Sequence, residues 1–236
     1  MFDSHSKSKK HIVVLTGSGI SAESGLKTFR DSGGLWETYD VMEVASIDGW
    51  YKNKELVLRF YNERRKQLEQ AAPNKAHLLL KKLEDNFKVS IITQNVDNLH
   101  ERAGSKNILH LHGELTKVRS TKDPNYIVDI GYKEIKPGDK CPRGGQLRPH
   151  IVWFGEAVPA MEEAIGLTQE ADIFVIIGTS LNVYPAAGIV DYVKPEVPIF
   201  FIDPKPANTH YRQNLEIIAE KASTGMEILL KKLEVS

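Results

Sequence analysis

The chain has 236 residues, which suits one large domain or one domain that carries a small inserted module. Lysine plus arginine balances aspartate plus glutamate at 31 each, so no global charge favours nucleic acid or a membrane surface. Cys141 is the single cysteine, which excludes an intramolecular disulfide and a thiolate-rich metal site.

No targeting or membrane signal stands out. No apolar run approaches the roughly 18 residues that a membrane helix needs. Residues 1–10 are polar and lysine-rich, without the apolar segment of a secretory signal. We therefore expect a soluble, cytoplasmic protein that has neither a membrane nor a nucleic acid as its partner.

Short apolar, β-branched runs predict buried strands. In chain order they are His11–Leu15, Val89–Thr93, Ile108–Leu111, Ile173–Ile177 and Ile199–Ile202. Such runs are typical of a parallel sheet covered on both faces. Helical patterns lie between or after them, at Glu55–Gln70, His77–Leu83, Met161–Gln169 and Met226–Leu233. The alternation predicts an α/β fold with a Rossmann-like, doubly wound parallel sheet.

Two segments interrupt the alternation and predict a smaller inserted module. Residues 34–72 have aromatic and helical character, and residues 116–150 are rich in Lys, Asp, Gly and Pro, with weak strand signals. Irregular segments of this length in a compact domain are usually functional or form a small module. We expect residues 1–236 to form a single domain with these two insertions.

The first strand leads into a turn of small residues. Gly17–Ala22, with the sequence GSGISA, matches the Gly/Ala form of the dinucleotide fingerprint. Glycines let the backbone approach phosphate oxygens, and a following helix presents its positive N-terminus. A ligand-free turn fits the same pattern equally well. Because no strand precedes Glu37 or Asp40, the acidic residue that a dehydrogenase needs is missing, which argues against simple hydride transfer.

Two other strand ends carry groups that suit a nucleotide. Gly178-Thr179-Ser180 follows Ile173–Ile177, and Asp203 follows Ile199–Ile202. Ligands of open α/β sheets collect at the carboxyl ends of the strands. Three such ends together favour a nucleotide site.

Polar side chains crowd the ends of the remaining two strands. The stretch Thr93–Asp97, TQNVD, suits either a functional site or the capping of a following helix. His110 and His112 are two residues apart, so a strand places them on the same face. A lone histidine is usually structural, but one at a strand end beside a nucleotide site is suited to act as a base.

Six motifs, in order along the chain, resemble those of the sirtuins, the NAD-dependent protein lysine deacylases. They are Gly17–Gly25, Thr28–Arg30, Gln94–Asp97, His112–Gly113, Val152–Glu156 and Gly178–Ser180. The resemblance covers nearly all of residues 10–230. Ser18 replaces the usual alanine, and Lys27 stands where many members have proline.

The resemblance implies that NAD lies over the carboxyl edge of the sheet. It assigns to the cofactor Gly17, Ser18, Gly19, Ile20, Ser21, Ser24, Phe29, Arg30, Trp36, Gln94, Asn95, Asp97, Gly178, Thr179, Ser180, Asp203 and Ala222. Phe29 would shield the site from water, and Asn95 and His112 would be the catalytic residues. In this reaction the imidazole of His112 takes a proton from a ribose hydroxyl. The products are free lysine, nicotinamide and O-acyl-ADP-ribose, and no metal takes part.

The resemblance also implies acyl-lysine proteins or peptides as partners. Val152–Glu156 resembles the strand that pairs with the substrate peptide through main-chain bonds, with Val152, Phe154 and Gly155 assigned to it.

A second set of residues resembles the class III branch, which prefers acidic acyl groups such as succinyl and malonyl. Arg64 would hold a carboxylate bidentately, Tyr61 would donate a hydrogen bond and Ala45 would leave room. We therefore expect deacetylase activity together with desuccinylase and demalonylase activity.

Most sirtuins bind a structural zinc ion through four cysteines in the small module. Here Cys141 is accompanied by Ser120, Asp123 and Gly144 at the other expected positions, which is a poor tetrahedral set. We therefore expect no zinc.

Two alternatives stay open at this point. One is a protein ADP-ribosyltransferase, in which another nucleophile captures the ribose, and the other is a non-catalytic module that binds NAD or ADP-ribose. The joint presence of His112, Asn95 and Asp97 argues against the second, because a pure binder needs no base. The oligomeric state does not follow from the sequence.

Overall fold

The computed structural model describes residues 9–26, 39–206 and 213–235. Its strands are β1 (His11–Thr16), β2 (Lys88–Thr93), β3 (Ile108–His110), β4 (Gly113–Ser120), β5 (Ile127–Asp129), β6 (Leu147–Ile151), β7 (Ile173–Ile177), β8 (Ile199–Ile202) and β9 (Leu215–Ile218). Its helices are α1 (Gly19–Ala22), α2 (Val41–Val44), α3 (Ile47–Lys52), α4 (Lys54–Gln70), α5 (Lys75–Leu83), α6 (Leu99–Arg102), α7 (Met161–Gln169) and α8 (Ala222–Lys232), with a 3₁₀ helix at Ala186–Tyr192.

The larger layer is a parallel sheet of six strands in the order β3-β2-β1-β7-β8-β9. This is the strand order of a Rossmann sheet, in which the connections run outward in opposite directions from the central pair. The order reverses between β1 and β7. Ligands of such sheets bind where the loops after these two strands diverge.

Both faces of this sheet are buried, as the apolar runs predict. Ile12 and Val14 of β1 pack on one face with residues of α5 and α8. Val13 and Leu15 pack on the other face with residues of α7 and the 3₁₀ helix. The central strands are therefore largely apolar, because neither of their faces meets water.

The smaller layer is an antiparallel sheet of three strands, β5-β4-β6, covered by α4. The guanidinium of Arg65 joins the helix to the sheet, since its Nε donates to the Leu115 carbonyl at 2.8 Å and its Nη1 to Asn62 Oδ1 at 2.6 Å. Burial lowers the pKa of Arg65 to about 10, so it stays charged at neutral pH. Asn62 Nδ2 also donates to the Ile135 carbonyl at 2.9 Å, so residues of the two expected insertions contact each other.

The predicted element bounds agree with the structure best where the strands are buried. Ile173–Ile177, Ile199–Ile202 and Met161–Gln169 have the predicted bounds. The edge strand β9 was not predicted, because its sequence, LEII, is short, contains a glutamate and is largely exposed. Among the described residues no helix is both long and apolar enough to cross a membrane.

Candidate active site

The loops after β1 and β7 touch each other at the point where the strand order reverses. The amide of Gly17 donates to the Ile177 carbonyl at 3.0 Å, and the amide of Gly19 to the Gly178 carbonyl at 2.8 Å. A Cβ atom on Gly19 would lie 2.6 Å from the Cα of Gly178, and Gly178 itself has φ +61°. These glycines are thus required by contact between the two loops, and the amides of Gly17 and Gly19 are already engaged by protein carbonyls.

The helix after the first loop differs from the expectation. It is a single turn, Gly19–Ala22, and not a long helix that would present a full dipole to a phosphate. A single turn aligns few peptide dipoles, so its attraction for a phosphate is weaker than that of a long helix, and phosphate binding by this N-terminus stays a prediction.

A cleft of about 1070 Å³ opens between the edge of the large sheet and the smaller layer. Its volume lies just above the usual range for small-molecule sites, about 300–1,000 Å³. Many of the residues that the sequence assigns to the cofactor line it: Gly17, Ser18, Gly19, Ser21, Gln94, Asn95, Asp97, Gly178, Thr179, Ser180, Asp203 and Ala222. So do His112 and the residues assigned to the substrate, Ala45, Tyr61, Arg64, Val152, Phe154 and Gly155.

Two residues assigned to the cofactor do not line this cleft. The side chain of Ile20 is fully buried in the core beneath the loop, so the turn directs it away from the cleft. The hydroxyl of Ser24 accepts a hydrogen bond from Asn74 Nδ2 at 3.0 Å on the far side of the same turn. Phe29, Arg30 and Trp36 lie outside the described residues.

The loop after β2 is tied to the loop after β1 by side chains. Asn95 Nδ2 donates to the Gly17 carbonyl at 3.1 Å and to Ser21 Oγ at 3.2 Å. Ser21 Oγ in turn donates to Asp97 Oδ2 at 2.9 Å. Burial raises the pKa of Asp97, although the amide of Leu99 and the Ser21 hydroxyl stabilise its charged form. This polar network is preorganised at the centre of the cleft.

His112 lies beside this network, and one of its ring nitrogens is hydrogen-bonded to the main chain. Its Nδ1 is 3.0 Å from the carbonyl oxygen of Gln94. A carbonyl only accepts, so Nδ1 must carry the proton, and the neutral ring has a free lone pair on Nε2. Burial lowers the pKa of His112, a shift that the hydrogen bond to Gln94 partly opposes. The imidazole is therefore neutral at pH 7 and able to accept a proton.

The end of the cleft nearest the smaller layer is formed by α4. The Tyr61 ring is 1% exposed, and its hydroxyl oxygen accepts a hydrogen bond from Trp153 Nε1 at 2.9 Å. Since the indole occupies an acceptor position, the phenol proton stays available for donation. Arg64 follows one turn later, with its guanidinium carbon 5.7 Å from the Phe60 ring centre and 5.8 Å from that of Tyr61. A cation and a hydroxyl donor therefore lie side by side.

Protonation states support this arrangement of donors. Burial raises the pKa of Tyr61, so the phenol keeps its proton at neutral pH. Burial lowers the pKa of Arg64, while Tyr61 and Asp97 oppose that shift, and a guanidinium stays charged in proteins.

The segment Val152–Glu156 differs from the expected peptide-pairing strand. β6 ends at Ile151, and Phe154 forms one isolated parallel bridge with Ser46. The amide of Val152 donates to the His112 carbonyl at 2.9 Å and that of Phe154 to the Ala45 carbonyl at 2.9 Å. The segment is therefore not a continuous strand in this structure, and its pairing with a substrate peptide stays a prediction.

Comparison with known proteins decides the family. The profile described as "Sir2 family" matches residues 17–185. The chain belongs to the Sir2 family. It is 56% identical over 229 residues to an NAD-dependent protein deacylase of Bacteroides thetaiotaomicron, covering 95% of this chain and 98% of that protein. An NAD-dependent protein deacylase of Helicobacter pylori is also 56% identical, over 224 residues, covering 95% and 97% of the two chains.

Solved Sir2 structures share the fold. A Sir2 homologue in complex with NAD superposes with a TM-score of 0.86 at 38% identity, covering 97% of this chain and 91% of that one. A Sir2 protein with a deacetylated p53 peptide and 3'-O-acetyl ADP-ribose gives 0.82 at 30% identity, covering 97% and 95%. The α/β fold with a doubly wound sheet and a smaller module is thereby confirmed.

Some cleft residues of this Sir2 chain were missed in the sequence. Gln67 and Leu68 line the cleft one turn after Arg64, and helical spacing from Tyr61 was the available signal. Lys205 and Lys221 line the opposite end and would suit a phosphate. No sequence pattern sets these two lysines apart from the chain's other cations.

The surroundings of Cys141 in the smaller layer are polar and closely bonded. Its Sγ lies 3.0 Å from Ser120 Oγ, and its amide donates to the Gly145 carbonyl at 2.9 Å. Asp123 forms an ion pair with Arg143, at 3.2 Å from Nε to Oδ2. Gly144 offers no side chain.

Proposed function

We propose that this Sir2 protein is an NAD-dependent protein lysine deacylase that removes succinyl and malonyl groups as well as acetyl groups. The observation that carries the acidic preference is the pair formed by Arg64 and Tyr61 in the same cleft as His112. Relatives named NAD-dependent protein deacylases, together with NAD and ADP-ribose complexes among similar structures, support NAD as the cofactor.

The residues of the cleft fit a dinucleotide. Asp203 suits a ribose hydroxyl, and the ammonium groups of Lys205 and Lys221 suit phosphate oxygens. The Asn95 carboxamide both donates and accepts, as a nicotinamide amide requires, and Asp97 lies behind it. When bound, NAD supplies the ribose that accepts the acyl group and releases nicotinamide.

His112 acts in this account as the general base. Its Nδ1 proton is held by the Gln94 carbonyl, so the free lone pair on Nε2 takes the proton of a ribose hydroxyl. Because burial lowers the pKa of His112, the neutral imidazole predominates at neutral pH. The acid limb of the activity profile should accordingly lie below the ordinary histidine value of about 6.5.

The acidic end of the acyl group meets Arg64 and Tyr61. A guanidinium binds a carboxylate through two parallel N–H bonds, and such charge-assisted bonds are about twice as strong as neutral ones. The Tyr61 phenol adds a third donor. Because the Trp153 indole donates to the phenol oxygen, the phenol's own proton is left for the carboxylate. A neutral acetyl group makes none of these bonds but is small enough to enter the same cleft.

We further propose that the smaller layer holds no zinc. One thiol with one hydroxyl, a carboxylate already paired to Arg143 and a glycine do not make a tetrahedral N/S ligand set. Elemental analysis of the purified protein should therefore find well under one zinc per chain, and one zinc per chain would contradict the proposal.

The experiment is to incubate the purified protein with NAD and matched acetyl-, succinyl- and malonyl-lysine peptides, and to identify the products by mass spectrometry. The proposal predicts deacylated peptide, nicotinamide and O-acyl-ADP-ribose with all three. Turnover of the acetyl peptide alone would remove the acidic-acyl claim. Nicotinamide release without deacylated peptide would contradict the deacylase and favour ADP-ribosyl transfer or NAD hydrolysis.

A further inference from the structure

At the end of β2, the main-chain carbonyls of four consecutive residues, 93–96, accept hydrogen bonds from one neighbouring segment, residues 110–115. The carbonyl of Thr93 accepts from the Leu111 amide at 2.9 Å, and that of Val96 from the Leu115 amide at 2.7 Å. The two carbonyls between them bond to imidazoles. Gln94 bonds to His112 Nδ1 at 3.0 Å, and Asn95 to His110 Nδ1 at 3.1 Å.

The outer bonds of this series use main-chain donors, and the inner two use histidine side chains. Both histidines must therefore carry a proton on Nδ1, because a carbonyl oxygen has none to give. The two rings differ at their other nitrogen. Nε2 of His112 faces the cleft, whereas Nε2 of His110 lies 2.7 Å from Glu101 Oε1.

That short contact determines the protonation of His110. With Nδ1 already protonated, a neutral His110 would direct the lone pair of Nε2 at a carboxylate oxygen, which is repulsive. A second proton on Nε2 converts the contact into an imidazolium–carboxylate ion pair with a charge-assisted hydrogen bond. The His110 side chain is 9% exposed and that of Glu101 is 37% exposed, so the imidazole is shielded from water while the carboxylate is partly solvated.

We propose that His110 is a positioning residue: as an imidazolium paired with Glu101, it holds the main chain of Asn95 so that the Asn95 carboxamide points at the nucleotide loop. The Asn95 side chain then reaches the Gly17 carbonyl and Ser21 Oγ. His110 does not line the cleft and touches no reacting atom in this account. This inference rests on the proposed function only for its effect on turnover.

The charged groups around His110 favour its protonated form. Burial by itself would lower its pKa, but the hydrogen bond and charge of Glu101 from α6 and the charge of Glu114 from β4 outweigh it and raise the pKa. Asp97 faces the ring from the loop after β2, and the buried, neutral His100 faces it from α6. In agreement, the pKa of Glu101 is lowered despite its burial.

The same three side chains, Glu101, His110 and Glu114, bring ligand atoms within 4.8 Å of one another, as a metal site would. The charges argue against a metal. Lys117 Nζ lies 2.6 Å from Glu114 Oε2, so an ammonium and the imidazolium already balance the two carboxylates. A divalent ion would have to displace both.

The two histidines therefore predict a bell-shaped pH profile of kcat/KM. The acid limb reports protonation of His112, whose pKa is lowered, and the alkaline limb reports loss of the second proton from His110, whose pKa is raised. In the variant Glu101→Gln, the alkaline midpoint should move to lower pH while the acid midpoint stays in place.

Glu114→Gln is the matched control, because that carboxylate also faces the imidazole but hydrogen-bonds to Lys117. Its alkaline midpoint should move less than that of Glu101→Gln. His110→Phe should lower kcat about tenfold while changing the KM for NAD little, as expected when a catalytic group is slightly misplaced.

The charge on His110 is measured without turnover by nitrogen-15 NMR of the imidazoles, with His110→Gln used for assignment. At pH 7 the proposal predicts both nitrogens of His110 protonated and only Nδ1 of His112 protonated. If no acyl peptide is turned over, the proposed function fails, and this titration still decides the state of His110.

Three results would overturn the inference. One is a neutral His110 at pH 7, and another is equal shifts in Glu101→Gln and Glu114→Gln. The third is calorimetric binding of Zn²⁺ or Mn²⁺ alone that both of these variants abolish, because the cluster would then be a cation site.

Discussion

The two sides of the cleft are built in different ways. On the sheet side, short loops at the ends of β1, β2 and β7 position the polar groups, and their main chains bond to each other directly. On the side of the smaller layer, the groups are side chains of one helix, α4, held by tertiary contacts such as the bond from Trp153 to Tyr61. In the proposed function, the first construction holds the groups for the reaction that all acyl substrates share, and the second selects the acyl group.

This difference separates the expected effects of substitutions. Changes on the sheet side should affect every acyl substrate equally, because all of them share the ribose chemistry. Changes around α4 should alter the ratio between acidic and neutral acyl groups and leave the common steps in place.

His112→Ala should remove the general base on the sheet side of the cleft and so nearly abolish deacylation. We expect kcat to fall about 10³-fold with succinyl and acetyl peptides alike, the size typical for loss of a general base. NAD binding, measured by calorimetry, should persist. His150→Ala, which removes another partly buried histidine on β6, should retain activity. Full NAD-dependent turnover by His112→Ala would show that the base lies elsewhere.

Gly178→Ala should break the contact between the two nucleotide loops. Its Cβ would lie 2.4 Å from the Ile20 amide nitrogen, and the residue has φ +61°, so both space and conformation oppose a side chain. We expect unfolding free energy to fall by about 1–3 kcal/mol, with weaker NAD binding.

Gly166→Ala is the control for this change, since its Cβ would meet nothing within 4 Å. Denaturant unfolding of the two variants gives the comparison. Equal stability of Gly178→Ala and the parent would mean that the loops are less tightly joined than the structure indicates.

The glycine loops also show how far sequence reasoning reaches. The buried strands, the loops and the polar residues after β2 follow from local signals, because apolar runs and small-residue turns have few structural meanings. The sequence did not show why glycine is needed at these positions, because Gly19 and Gly178 are 159 positions apart and come into contact only in the fold.

The smaller layer was harder to predict for a related reason. Tyr61 and Arg64 read as an ordinary pair on a helix surface, and only the resemblance to sirtuins marked them. The hydrogen bond from Trp153 to Tyr61 joins residues 92 positions apart, so no local sequence pattern predicts it. Likewise, the bond from the Phe154 amide to the Ala45 carbonyl joins residues distant in sequence, so the local pattern of Val152–Glu156 did not predict it.

Trp153→Phe should give the smallest effect and act on selectivity alone. The ring is kept, but the Tyr61 hydroxyl loses its 2.9 Å donor and with it the fixed direction of its own proton. A neutral hydrogen bond contributes about 1 kcal/mol, so we expect kcat/KM for the succinyl peptide to fall about fivefold and that for acetyl to stay unchanged.

Trp50→Phe serves as the control, because Trp50 packs on Trp153 with ring centres 5.4 Å apart and leaves the bond to Tyr61 in place. Steady-state kinetics on matched peptides separates the two variants. An equal loss with both acyl groups in Trp153→Phe would indicate a packing role only.

The measurement that tests the account most directly is the ratio of kcat/KM for succinyl and acetyl peptides in the parent, in Arg64→Met and in Arg59→Met. Arg59 is exposed on the same helix and does not line the cleft, so its loss should leave the ratio unchanged. We predict that Arg64→Met lowers succinyl turnover about 100-fold while acetyl turnover stays within about threefold. An unchanged ratio in Arg64→Met would contradict the division between a shared catalytic edge and a separate acyl-selecting helix.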